Sequence, residues 1–145
     1  MQKIPDASFT WIGDGDPVMR QTMELAGVNV TGWVSKDVVS EYLQNASVYL
    51  STAQWEGMPV SIIEAIYAGL PVVASKCSGN VDIIIHNQTG WLFDSTKQAI
   101  EQIVAVMNGP DNAEFIAKNA FRIAIDRFSV KRYIEAMNFI STIQK

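Results

Sequence analysis

Glu56-Gly57-Met58-Pro59-Val60-Ser61-Ile62-Ile63-Glu64-Ala65-Ile66-Tyr67-Ala68-Gly69-Leu70-Pro71-Val72-Val73-Ala74-Ser75 reads as a turn, a helix and a buried strand in direct succession. Pro59 suits the first helical position, where a missing N–H costs nothing. The apolar residues behind it predict a helix over Val60–Gly69. Gly69 and Pro71 end that helix, and Val72–Ser75 is short and apolar enough for a strand covered on both faces. Two acids flank the turn, Glu56 in the loop before the helix and Glu64 in its second turn.

The same alternation extends in both directions. Strands are expected at Ser8–Ile12, Val28–Thr31, Val48–Ser51 and Gly90–Phe93, with helices at Val18–Ala26, Lys36–Asn45 and Val81–His86 between them. Alternating apolar strands and helices predict an α/β domain with a mostly parallel sheet in a Rossmann-like three-layer α/β/α arrangement. After Asp94 only helices are expected. Lys97–Met107 carries Ile100, Ile103, Val104 and Met107 at helical spacing, and Ala113–Arg127 carries Phe115, Ile116, Phe121 and Ile125. Gly109-Pro110 separates these two. Ser129 can cap a last helix running through Ile143.

Composition narrows the classes. The 145 residues suit one domain, 1–145, with a proper core. A hydrophobic fraction of 48% with 18% charged residues is that of a globular chain. The net charge of −4 and the lack of a basic block argue against nucleic-acid binding or a polybasic membrane anchor. The single cysteine, Cys77, rules out an internal disulfide and a cysteine-built zinc site, and fits a reducing, cytoplasmic setting. No apolar run approaches the roughly 20 residues of a membrane span. The start, Met1-Gln2-Lys3-Ile4-Pro5-Asp6, has no apolar core of a leader.

The chemistry concentrates at the bracketed turn. Free backbone N–H groups at a helix start form an anion site. Acids on either side can hold hydroxyls at both ends of a ligand whose middle is phosphate. A sugar nucleotide fits that description. Ser61, Glu64 and Ala68 share a small, polar helix face, from which the Glu64 carboxylate can accept two hydrogen bonds from vicinal ribose hydroxyls. The plain alternatives are a solvated helix face for Glu64 and an exposed loop acid for Glu56. Gly57 lets backbone approach a ligand closely. The amides of Gly57, Met58 and Val60 are candidates to meet sugar or diphosphate, and Pro59 has none to offer.

The whole pattern resembles the donor-binding motif of retaining glycosyltransferases of the GT-B fold, group 1 or family 4. Phe9-Thr10-Trp11-Ile12-Gly13-Asp14-Gly15-Asp16 is similar to the family's strand ending in Gly-Asp-Gly-Pro. Val30-Thr31-Gly32-Trp33-Val34 is similar to its next strand and turn, and Thr89-Gly90-Trp91-Leu92-Phe93 to its late Thr-Gly-Leu-Leu segment. The resemblance implies the C-terminal, nucleotide-sugar-binding domain of a glycosyltransferase of glycan biosynthesis. It implies a UDP-, GDP- or similar sugar donor, transferred with retention to an acceptor hydroxyl without a bound metal or other cofactor.

It gives Glu64 to the ribose. Glu56 lies beside the transferred sugar as the catalytic-site acid, and Gly57, Met58, Pro59 and Val60 line the donor. Gly13 lies near the nucleotide, and Trp33 and Val34 beside the base. The acceptor, a glycan or lipid-linked glycan, would be held by an N-terminal domain not in this sequence. The full-length protein would be cytoplasmic or peripheral at the membrane.

Departures from the family pattern are specific. Ser78-Gly79-Asn80 lies where the family has a glycine pair, with Asn80 in place of a glycine and Asp82 near the usual Glu. The family's opening strand, with an Arg and a Lys for the diphosphate, is not matched. This predicts an excised segment or truncated gene, inactive alone. Without that strand Ser8–Ile12 and Val48–Ser51 are expected to pair directly, giving a five-stranded sheet, with pairing to a second copy as the other solution.

Other readings are weaker. Gly13-Asp14-Gly15 lacks the third glycine of a dinucleotide fingerprint, since Val18 stands there. Asp14-Gly15-Asp16 matches the metal-binding Asp-x-Asp of GT-A enzymes but lacks their long preceding sheet. A flavodoxin-like regulatory domain would leave the Glu pair without purpose. A non-catalytic nucleotide-sugar-binding module remains the alternative function. Cys77 has no His or Asp near it in sequence, and His86 is expected to be structural.

Overall fold

In a computed structural model the structure describes residues 7–129, 131 and 132, and the chain falls into two compact units, Met1–Asn45 and Ala46–Lys145. The expected last helix through Ile143 lies outside the described residues, apart from the Ser129 hydroxyl, which accepts from the Arg132 amide at 3.3 Å.

The first unit runs β1 (Phe9–Trp11), α1 (Pro17–Leu25), β2 (Val28–Val30) and α2 (Lys36–Asn45). β1 and β2 are parallel, with Trp11 opposite Val30. Asp16 caps α1: its carboxylate accepts from the Val18 and Met19 amides at 3.0 and 3.1 Å, and Pro17 opens the helix. The turn between β1 and α1 is closed by the Trp11 indole, which lies so near Gly15 that a Cβ there would sit 2.6 Å from the ring. Among the described residues of this unit the buried hydrophobic side chains are Val30 and Leu43.

The second unit contains β3 (Tyr49–Ser51), α3 (Val60–Tyr67), β4 (Val72–Ser75), α4 (Asn80–Ile83), β5 (Trp91–Phe93), α5 (Thr96–Asn108) and α6 (Pro110–Arg127). Its sheet is parallel in the order β3-β4-β5. Val72, Val73 and Ala74 of the central strand are buried, as a near-continuous apolar run predicts. α3 buries Ile62, Ile63, Ala65 and Ile66 and packs on β3, β4 and α6, while α5 packs on β4, β5 and α6.

Parallel strands flanked by helices make this a Rossmann-like α/β/α fold. Two expectations change. The strands hydrogen-bond as a two-stranded and a three-stranded sheet, not as one five-stranded sheet. Strands of three or four residues would gain only a few ladder bonds from a new pairing, each of about 1 kcal/mol net.

The buried face of α6 also differs from the one expected. Phe115, Phe121 and Ile125 are exposed, and Ala113, Ile116, Ala117, Ala120 and Ala124 are buried. Small residues let α3 and α5 come close. Tyr67 of α3 reaches across to donate to the Ala124 carbonyl at 3.3 Å and meets Phe121 edge-on at 6.0 Å. On α5 the buried residues are Ala99, Ile103 and Val106, with Met107 exposed.

Candidate functional site: the turn before the third helix

All residues of the Glu56–Glu64 bracket belong to the second unit. β3 ends at Ser51, and the loop after it carries Glu56, half-buried, to the start of α3. Pro59 is buried and caps α3 instead of opening it. Its ψ of 82° turns the carbonyl into the helix, where it accepts from the Ile62 and Ile63 amides at 3.1 and 3.3 Å. The Val60 amide donates back to Met58 O at 2.9 Å, a three-residue turn.

Val60 N–H is therefore occupied, and the amides of Gly57, Met58 and Ser61 have no hydrogen-bond partner among the described residues. Ser61 was not expected in this role. Moving the helix start by one residue moves the open amide with it. Around these amides Gly57, Met58 and Val60 are exposed, and Glu64 is exposed one turn further along α3.

Both acids make themselves felt at one half-buried group. The Tyr49 phenol on β3 is held above its ordinary value of 10.0, first by burial. The Ser61 side chain pulls the value down, and the negative charges of Glu56 and Glu64 push it further up. Tyr49 thus reports that Glu56 and Glu64 share one neighbourhood. An aromatic at the start of a half-buried strand gives no sign of that role in sequence.

Behind Glu56 lies the loop after β4. The Glu56 amide donates to Ser78 O at 3.2 Å. Gly79 has φ of 83° and passes so close that a Cβ would sit 2.5 Å from the Glu56 carbonyl oxygen, so only glycine fits. The Ser78-Gly79-Asn80 departure therefore supports the acid-bearing turn from behind.

The other expected residues lie in the first unit. Gly13 donates its amide to Thr31 Oγ1 at 3.2 Å and bridges Gly32, tying together the ends of β1 and β2. Trp33 is an exposed surface aromatic at 86% exposure, and Val34 beside it is half-buried. Asp16 is spent on the α1 cap, and Asp14 is 3.1 Å from Arg20 Nη1 while accepting from the Gly15 amide. Local roles thus account for both carboxylates of the Asp-x-Asp reading. His86 is structural: its Nδ1 accepts from the Leu92 amide at 2.9 Å.

The family described as glycosyl transferases group 1 matches residues 3–123. The chain belongs to that family. Among relatives, this group 1 chain is 33% identical over 109 residues to the amylovoran biosynthesis glycosyltransferase AmsK of Erwinia amylovora, covering 66% of the chain and 27% of that protein. It is 30% identical over 128 residues to the sulfoquinovosyl transferase SQD2 of Arabidopsis thaliana, covering 83% and 25%. The chain spans about a quarter of the length of these relatives.

A solved structure of Anabaena HepE in complex with UDP-glucose superimposes with a TM-score of 0.84 at 22% identity, over 95% of this chain and 41% of that one. The shared fold is that of the GT-B glycosyltransferases. Among the described residues no helix is long and apolar enough to cross a membrane.

Proposed function

We propose that this chain is the donor-binding part of a retaining glycosyltransferase that holds a nucleoside-diphosphate sugar at the start of α3. The observation that carries the reading is the pair Glu56 and Glu64, brought around the open amides of Gly57, Met58 and Ser61. Glu64 accepts from the two ribose hydroxyls, as an exposed acceptor-only carboxylate can. The amides and the positive end of α3 face the diphosphate and stabilise it as it leaves. Glu56 holds hydroxyls of the transferred sugar while an acceptor hydroxyl attacks the anomeric carbon. The reaction proposed uses no bound metal. Related structures, with UDP-glucose on HepE and UDP on a pneumococcal transferase, support UDP as the first nucleotide to try.

The acceptor, a glycan or lipid-linked glycan, is held by parts of the full-length protein outside this chain. Transfer needs both substrates in one cleft, so the 145-residue chain alone binds donor and transfers nothing. NMR titration with UDP-glucose tests this: the Gly57, Met58, Ser61 and Glu64 signals should shift. Shifts confined to the Gly13–Asp16 turn would overturn it. Donor binding with no transfer by the full-length gene product would favour the non-catalytic module instead.

A further inference from the structure

Asn80 is fully buried, and its place in the fold is unusual for a polar side chain. Nδ2 donates to the Ser75 carbonyl at 2.9 Å and to Ser75 Oγ at 3.2 Å. Ser75 Oγ in turn donates to the Ala53 carbonyl, in the loop that carries Glu56. The relay runs in one direction, amide to hydroxyl to carbonyl, so each proton has an acceptor. It links the last residue of β4, the first residue of α4 and the loop after β3. The Glu56 amide bond to Ser78 and the close pass of Gly79 are the other two ties between the same loops.

The relay is not the cheapest way to fill the space. Asn80 Oδ1 is buried with no hydrogen-bond partner among the described residues, which costs stability that an apolar side chain would not lose. A polar side chain retained at that cost indicates a requirement for geometry.

We propose that Asn80 and Ser75 are positioning residues that fix the Glu56 turn, and through it the hold on the transferred sugar. This rests on the donor-binding reading above and adds to it the side chains that set the acid in place. Asn80 is fully buried and acts through the loop it braces. Their effect falls on the sugar half of the ligand, because the braced loop carries Glu56, whereas Glu64 rides on α3 and is set by the helix itself.

The test compares UDP-glucose with UDP on this chain and on its Asn80→Ala, Ser75→Ala and Ser75→Thr variants, together with amide hydrogen exchange of Glu56. Loss of one relay bond should weaken UDP-glucose about fivefold, with UDP affinity held within about twofold. Glu56 amide exchange should quicken by a similar factor while exchange in α5 and α6 is unchanged. Ser75→Thr keeps the hydroxyl and should restore both readouts.

Equal weakening of UDP and UDP-glucose, with Glu56 exchange unchanged, would show a merely structural role and overturn the proposal. If Asn80→Ala does not fold, Ser75→Ala decides by the same criteria. If the parent chain binds neither ligand, the donor-binding reading fails. The exchange readout then decides alone: faster Glu56 exchange upholds the brace, and unchanged exchange ends it.

Discussion

At the residue scale, the proposed division of work, Glu64 at the nucleotide and Glu56 at the sugar, predicts that the two acids fail differently. In the full-length enzyme Glu64→Ala should raise the donor KM, through lost hydrogen bonds to a charged group worth about 1.5–3 kcal/mol. On the same proposal Glu56→Gln should instead lower kcat, as expected of a group that holds the sugar near its reacting geometry. Equal, small effects from both in steady-state kinetics would break the assignment.

Tyr49 offers a test that needs no substrate. Its phenol is raised by burial and by the two acids, so the folded state holds this proton more tightly than the unfolded chain does. The stabilisation is complete below the ordinary value of 10.0 and is lost as pH rises through the folded value. Tyr49→Phe should flatten the fall of stability above about pH 10 seen in denaturant titrations of the parent. An unchanged alkaline limb would show that neither burial nor the acids raise the Tyr49 phenol. The acids themselves were legible in the sequence, because type and spacing are local properties. Tyr49, Ser75 and Asn80 were not, because their roles depend on which strand lies beside which loop.

At the element scale, the helix α6 shows where periodicity misleads. Its large apolar residues are at helical spacing, yet the buried face is alanine-rich. Close helix approach selects small side chains, and hydrophobicity scales weight large ones. Ala120→Leu should therefore destabilise the protein by about 1–3 kcal/mol through overpacking. Phe115→Leu, at a 70% exposed position, should stay within about 0.5 kcal/mol. Chemical denaturation of both variants checks the pair, and the reverse order would put the large residues back in the core.

The start of α3 carries a similar lesson. Pro at the first helical position is the commoner arrangement. Here Pro59 caps the helix, and Val60 turns back onto Met58. That shift of one residue changed which amide faces outward.

At the scale of the whole molecule, the two units are unequally supplied with core. The first has Val30 and Leu43 as its buried hydrophobics among the described residues, while the second buries Val72, Val73 and Ala74 of its central strand and one face of three helices. Burying less apolar surface leaves a unit closer to local opening. Native-state hydrogen exchange should therefore show β1, β2 and α1 amides opening at lower free energy than those of β4 and α3. A single cooperative opening of both units would contradict this.

The sequence alone determined the α/β class, the strand–helix order, the parallel pairing and the acid-bracketed turn. Those features are written in periodicity, in turn residues and in the local spacing of charges. Only the tertiary structure decided how strands were divided between sheets, which face of α6 was buried, and what stands behind Glu56. These depend on residues far apart in the chain meeting in space, as Asn80, Ser75 and Ala53 do. No local pattern encodes such a meeting, because its energy exists only once the loops are packed together.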